Sequence, residues 1–448
     1  MAVVFVSIAL TVFVLLGCAH WYLWRRLVRD VSARGSVWRR TGTVLAFALP
    51  VLVIVNVAVG RSETPFTLQR VLAWPGYFWM ALLLYLLMAL AVGEAVRPLL
   101  RRVLERRDAA GATATATATG MEGGGGPVAV PAGESAAGTG AVADGEGTGP
   151  GTEPGAAAST AAESHTGGTE DSRVTSRRLF VARTVAAGAA VAAAGTVGGG
   201  AYNLLNGPTL KRVTVPLAKL PRSAHGYRIA VVSDIHLGAV LGRSHTERIV
   251  ETINSAQPDL VAIVGDLVDG TVEDLGPAAE PLRRLRSRHG SFFVTGNHEY
   301  FGDAAEWVGY LPELDVHPLQ NARVELPGFD LAGVNDVRGE DSGEGPDFGK
   351  ALGDRDPARA SVLLAHQPVQ IHESVRHGVD LQLSGHTHGG QIFPFHAVVA
   401  LANPTVAGLD RFGDTQLYVT RGAGAWGPPV RVGADPDVTV VRLASKQA

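Results

Sequence analysis

Cysteine is almost missing from this sequence: Cys18 is the only one in 448 residues. That excludes a disulfide framework within the chain and any cluster held by several thiolates. Charge is scarce as well, at 18% of residues where soluble domains carry about 25%. Aromatic residues are only 6%, so the 46% apolar content is largely Ala, Val and Leu. Mean hydropathy is positive, +0.16. These shortages argue against an ordinary cytosolic protein and for a part that lies in a membrane. A basic excess is lacking too. The net charge is −3, and residues 207–448 carry 22 basic and 29 acidic residues. An acidic region with no basic stripe argues against nucleic acid as its main partner.

What is present divides into four regions. Residues 1–107 hold three apolar runs, 3–24, 44–60 and 71–93, each close to the ~20 residues that cross a bilayer as a helix. Trp21, Tyr22 and Trp24 end the first run, where an aromatic belt would sit. Cys18 follows Leu15-Leu16-Gly17, loosely like a lipoprotein cleavage box. No positive charge precedes it, so a membrane-buried thiol is the better reading. Residues 108–172 are mostly Gly, Ala, Thr, Pro and Glu, with no Phe, Tyr, Trp, Lys or Arg. Such a chain buries too little apolar surface to offset its conformational entropy, and it reads as a disordered linker. Residues 173–206 start basic and continue as a mildly apolar run, a fourth transmembrane helix. Residues 207–448 carry the remaining chemistry and read as one further domain.

Charge sets the expected topology. The first loop carries Arg25, Arg26, Arg29, Arg34, Arg39 and Arg40 against Asp30. The second has only Arg61 and Arg70, and Arg97, Arg101, Arg102, Arg106 and Arg107 follow the third run. The positive-inside rule then puts the first loop and the linker in the cytoplasm. The chain reads as a multi-pass cell-membrane protein with its last domain on the extracytoplasmic side. Ser176-Arg177-Arg178-Leu179-Phe180 before a weak apolar helix resembles a twin-arginine signal, which makes the twin-arginine translocase an expected partner.

In the last region, apolar strand-like runs each end in chemistry-bearing residues. Residues 227–233 lead into Asp234-Ile235-His236, and residues 260–264 into Gly265-Asp266-Leu267-Val268-Asp269. Residues 292–295 lead into Gly296-Asn297-His298-Glu299, 363–365 into His366, and 381–383 into Gly385-His386-Thr387-His388. In an extended chain Asp234 and His236 point to the same side. Strand ends are where open α/β sheets bind ligands. One such ending is weak evidence, but five in series call for a common cause. Metal binding is the economical one, because carboxylates and imidazoles crowded on one rim otherwise suffer desolvation and repulsion. The O and N donors suit Mn, Fe, Zn, Ni or Co, and they are too many for one tetrahedral ion.

The order Asp-x-His, Gly-Asp-x-x-Asp, Gly-Asn-His-Glu, His, Gly-His-x-His resembles the calcineurin-like metallophosphoesterase superfamily, over about residues 226–445. Gly-Asn-His-Glu-Tyr-Phe at 296–301 and Gly-His-Thr-His-Gly-Gly-Gln at 385–391 resemble its membrane-associated bacterial branch. The resemblance implies a four-layer α/β sandwich of two mixed β-sheets flanked by helices. It implies two divalent metal ions (Mn, Fe or Zn). Asp234, His236 and His388 would hold the first, and Asn297, His366 and His386 the second. Asp266 would bridge them, and His298 would contact phosphate and protonate the leaving group. Asp269 and Glu299 would be supporting residues.

The expected function is hydrolysis of a phosphodiester, pyrophosphate or phosphomonoester, with lipid-linked or cell-envelope substrates favoured by location alone. The alternative is a metal-loaded extracytoplasmic sensor without turnover. The apolar stretch at 392–401 reads first as core packing and second as a lip that accepts a lipid tail. Asp336 and Arg421 match loop positions of related sequences and carry no assigned role.

Overall fold

The computed structural model describes residues 2–60, 62, 64–119 and 167–447. Four helices come first: α1 (Ala2–Leu23), α2 (Val37–Val59), α3 (Phe66–Thr119) and α4 (Gly167–Leu205). The described residues hold three helices long and apolar enough to cross a membrane, Val37–Val59, Phe66–Arg107 and Arg177–Leu205. α1 has 22 residues, about 33 Å of helix at ~1.5 Å per residue, the length of a span. After α1, Trp24–Arg29 forms a wider helical turn. There Arg25, Arg26 and Arg29 lie over the rings of Trp21, Tyr22 and Trp24 at 5.7–5.9 Å. Cation–π contact lets guanidinium groups gather beside an aromatic belt.

The linker expected at 108–172 begins and ends in helix: α3 continues through Thr119 and α4 starts at Gly167. Once a helix is under way, adding residues costs no new nucleation, so Ala-rich sequence prolongs α3 past its apolar part. The rest of that expected linker, 120–166, lies outside the described residues. The chain forms two compact units, one of Met1–Leu90 with Ala187–Ala448 and one of Ala91–Ala186.

The C-terminal region builds two six-stranded sheets. Its strands, in chain order, are β1 (Thr209–Leu217), β2 (Arg228–Val232), β3 (Leu260–Val264), β4 (Ser291–Val294), β5 (Val316–Pro318), β6 (Ala322–Leu326), β7 (Phe329–Gly333), β8 (Ala360–Leu364), β9 (Leu381–Ser384), β10 (Gly408–Phe412), β11 (Thr415–Val419) and β12 (Asp437–Ser445). The orders are β1-β12-β2-β3-β4-β5 and β10-β11-β9-β8-β7-β6. Both sheets are mixed. In the first, β2 to β5 run parallel and β12 pairs antiparallel with β2. In the second, β7, β8, β9 and β11 run parallel, with β6 and β10 antiparallel at the edges.

Alternation along the strands sends side chains to two cores. Ile229, Val231, Ala262 and Val264 face Leu331, Val362, Leu364 and Leu383 between the sheets. Ala230, Val232, Val261 and Ile263 face the other way and pack with Ile249 and Ile253 of α5 (Arg243–Ser255), Leu275 of α6 (Val272–Ala279) and Trp307 of α7 (Ala304–Tyr310). Across the second sheet, Ala332 and Leu363 pack with Phe348 and Leu352 of α8 (Phe348–Leu352). Leu417 and Val419 pack with Ile371 of α9 (Ile371–Arg376). Strands buried on both faces read as continuous apolar runs, which is why β2 and β3 stand out in the sequence. The parallel direction brings the ends of β2, β3, β4, β8 and β9 to one rim.

Candidate metal centre

The rim is built from backbone before it is built from side chains. β2 stops at Val232, and Asp234 and His236 take left-handed conformations, φ 52° and 49°. Asp266, His386 and His388 do the same, φ 50°, 70° and 52°. The extended geometry expected for Asp234-Ile235-His236 is therefore replaced by two left-handed residues. The intervening Ile235, and then Leu237, still go to the helix-side core. Each such conformation costs a non-glycine residue of order 1–3 kcal/mol and persists only where surrounding contacts impose it. The imposed contacts are visible. Asp234 N–H donates to Gly265 O at 3.1 Å, His236 N–H to Asp266 O at 3.1 Å and Leu237 N–H to Leu267 O at 2.9 Å. Gly265 itself has φ 85°, and a Cβ there would lie 2.6 Å from His366 Nδ1 and 2.7 Å from Gly296. Only glycine allows β3 to end so close to its neighbours.

Three groups of donors converge. Asp234, His236, Asp266 and His388 form one, Asp266, His366 and His386 a second, and His236, Asp269 and His298 a third. Asp266 Oδ2 lies 3.2 Å from His366 Nε2 and 3.7 Å from His236 Nε2, so it belongs to both sides. On the first side, His236 Nε2 and His388 Nε2 are 3.0 Å apart, and His388 Nε2 is 3.3 Å from Asp234 Oδ1. On the second, Asn297 Oδ1 lies 2.9 Å from His386 Nδ1 and 3.2 Å from His366 Nε2. All eight residues proposed from the sequence thus reach one locus, with His298 Nε2 4.0 Å from Asp266 Oδ2.

The donor set fits divalent metal. Asp234, His236, Asp266 and His366 are almost wholly buried, and a buried carboxylate without a cation is costly. Metal ligation needs unprotonated imidazole nitrogens. Burial first, then the neighbouring His366, brings the His386 imidazole down to about 4. Burial and the nearby Arg431 hold His388 well below the ordinary histidine value. For His236, burial opposes charge, but Asp269, then Asp266 and Asp234, push it up to about 9. Burial likewise lifts the Asp266 carboxyl, yet His366 foremost, with His236 and His298, holds it below the usual range. His366 Nδ1 donates to Val264 O at 2.8 Å, which leaves Nε2 facing Asp266.

Supporting residues complete the cluster. Asp269 Oδ1 accepts from His236 Nδ1 at 2.9 Å and from His298 Nδ1 at 2.7 Å. One carboxylate oxygen thus fixes two imidazoles and turns each Nε2 toward Asp266, the orienting role seen behind metal-ligating histidines. Glu299 accepts N–H bonds from Gly296, Leu267, Asp266 and Val268 at 2.6, 2.7, 3.1 and 3.3 Å, tying the β3 and β4 ends together. Buried Asp336 accepts from Gln367 Nε2 at 2.9 Å beside His366.

One residue had no signal in the sequence. Arg431 is 1% exposed and donates to the carbonyls of His388 and Arg421 at 2.7 and 2.8 Å, and to Gly424 O. Its guanidinium locks the loop that carries His388. Nothing about an arginine between two valines announces that.

Comparison with known proteins agrees with this geometry. The family described as calcineurin-like phosphoesterase matches residues 227–390. An uncharacterized metallophosphoesterase of Helicobacter pylori is 41% identical over 250 residues, 55% of this chain and 67% of that one. A transmembrane protein with metallophosphoesterase domain from Bos taurus is 39% identical over 261 residues, 54% of this chain and 59% of that one. An uncharacterized metallophosphoesterase of Aquifex aeolicus is 32% identical over 254 residues, 55% of this chain and 97% of that one. The chain belongs to the calcineurin-like metallophosphoesterase superfamily. It thus spans about three-fifths to two-thirds of the length of the first two relatives, and its similarity reaches a eukaryotic protein as well as bacterial ones.

Asp269→Asn keeps an acceptor at the same place but removes the charge that holds two imidazoles. Metal affinity and phosphoesterase turnover should each fall about 10–100-fold, with the fold intact by circular dichroism. Metal titration and aryl phosphate hydrolysis within twofold of the parent would contradict this orienting role.

Proposed function

We propose that the chain is a membrane-anchored, metal-dependent phosphoesterase that works with two divalent ions. The observation that carries this reading is Asp266, whose Oδ2 stands within 3.2 Å of His366 and 3.7 Å of His236, between two sets of donors. Asp234, His236 and His388 would complete one metal site, and Asn297, His366 and His386 the other. When bound, such ions supply Lewis acidity that makes water nucleophilic near neutral pH and neutralises charge on the phosphoryl group.

The protein's own groups would do the rest. His298, held by Asp269 through Nδ1, presents Nε2 to the leaving oxygen and gives it a proton. The buried ligands exclude bulk water from the far side of the phosphate, which strengthens each charge interaction there. The flanking layers are read as helix–sheet–sheet–helix, the four-layer arrangement of the family. Substrates on this reading are phosphodiesters, pyrophosphates or phosphomonoesters, with lipid-linked or cell-envelope esters favoured by the membrane anchor.

Asp266→Asn removes the shared donor, and His298→Ala the proton donor. In the manganese-loaded full chain, both should lower hydrolysis of a bis-aryl phosphate by at least about 100-fold. A chelator should abolish activity in the parent. Undiminished turnover in Asp266→Asn would overturn the two-ion reading. A metal-loaded parent with no turnover on monoester, diester or pyrophosphate would favour a sensor.

The arginine distribution favours a multi-pass protein with its catalytic domain on the extracytoplasmic side, and Arg177-Arg178 at the start of the last span is read as a twin-arginine signal. Replacing both with Lys should leave the domain in the cytoplasm, shielded from protease added outside cells. Unchanged cleavage from outside would contradict the signal.

A further inference from the structure

Residues 389–409 contain no Asp, Glu, Lys or Arg in a stretch of 21. A neutral, apolar segment of that length is ordinarily core, the first expectation for 392–401. The structure reverses it. Ile392 is buried, but Phe393, Phe395, Val398 and Leu401 are 47%, 48%, 59% and 88% exposed. The short helix α10 (His396–Ala402) has no buried residue. Apolar side chains left in water forgo the stabilisation that burial would give them. A contiguous patch of this kind marks a binding surface.

Contacts with two apolar helices say what covers it. Along α3, Trp74, Tyr77, Phe78 and Trp79 lie close together in sequence, with Trp74 stacked on Phe78, a group of the kind that sits at a bilayer interface. Tyr77 lies beside Gly427, within 3.8 Å of where a Cβ would stand. Eight residues further on, about 12 Å along a helix, Tyr85 donates its hydroxyl proton to Phe393 O at 3.1 Å. Phe393 therefore stands on the hydrocarbon side of the aromatic cluster. α4 makes a second contact. Arg431 N–H donates to Gly200 O at 3.1 Å, and the adjoining Val432 O accepts from Phe393 N at 2.9 Å. The patch also adjoins the site: Gly390, two residues after His388, packs on His396. Trp426 and Phe301, both exposed, place their rings 5.5 and 4.8 Å from that of His298.

We propose that residues 393–401 dip into the same bilayer that α3 and α4 cross, with Phe393, Phe395, Val398 and Leu401 among the lipids. The occupant of the patch is the lipid surface. The absence of charge over 389–409 is what lets it enter without desolvating an ion, as interfacial helices do with an apolar face about 5–10 Å deep. The mouth of the metal centre then opens at headgroup level. The inference rests on the membrane-anchored reading above and adds the surface by which the site meets its substrate.

The test uses the full chain with Cys18→Ser in phosphatidylcholine–phosphatidylglycerol nanodiscs. Single cysteines are placed by Leu401→Cys, Val51→Cys in α2 and Glu325→Cys on β6, and each carries an environment-sensitive fluorophore. Val398→Cys replaces Leu401→Cys if that variant loses aryl phosphate turnover. Brominated acyl chains should quench the labels at 401 and 51, with iodide ineffective at both. The label at 325 should show the reverse. Quenching by lipid at 51 together with quenching by iodide at 401 would overturn the inference and leave the anchor standing. Shielding of 401 from both quenchers would also overturn it, since protein would then cover the patch. Iodide quenching at 51 would remove the anchor and the inference together.

Discussion

The cost of keeping Asp266 ionised inside the protein governs the architecture around it. Its carboxylate is 2% exposed, and an isolated charge in that position would protonate or unfold its surroundings. The neighbouring elements answer that cost. His298 N–H donates to Asp266 Oδ1 at 2.9 Å, and His366 and His236 both approach Oδ2, at 3.2 and 3.7 Å. Glu299 then gathers the backbone N–H groups of Asp266, Leu267 and Val268. Five candidate ligand residues adopt left-handed backbone to meet at this point. Their strain is sustained by parallel strands with buried faces, and a divalent cation would offset the charge that the cluster gathers.

The parts of this that were legible in the sequence share a physical cause. β2 and β3 are buried on both faces, so they appear as short unbroken apolar runs, and their parallel direction puts the Asp and His residues that follow them on one rim. What stayed hidden depends on tertiary context. Left-handed φ at Asp234, His236 and His388 has no composition signal. Pairing of β1 with β12, more than 200 residues away in sequence, joins the ends of the domain by register alone. Arg431 acts through carbonyl oxygens, so its position matters and its neighbours in sequence do not. The 392–401 stretch had the composition of core and the exposure of surface. Composition reports preference for leaving water, without saying whether protein or lipid receives the side chain.

The two chemical environments meet in a short space. α4 ends at Leu205, and β1 begins at Thr209, which leaves little freedom for the catalytic domain to move away from the last apolar helix. Leu204 packs with Leu241 and Ala425, and Asn203 Nδ2 donates to Asp435 Oδ1 at 2.6 Å. Asp435 and Arg431 lie on the same loop, and Arg431 holds the backbone of His388. A helix end, a buried guanidinium and a metal-ligand loop are thus joined by direct contacts.

Whether Asp266 lies between two metal ions can be read from electron paramagnetic resonance of the manganese-loaded chain. Ions about 3.5–4 Å apart across a shared ligand are magnetically coupled. Two manganese ions should bind per chain and give a coupled spectrum that collapses to an isolated-ion signal in Asp266→Asn. One ion per chain with an isolated-ion spectrum in the unaltered protein would contradict it.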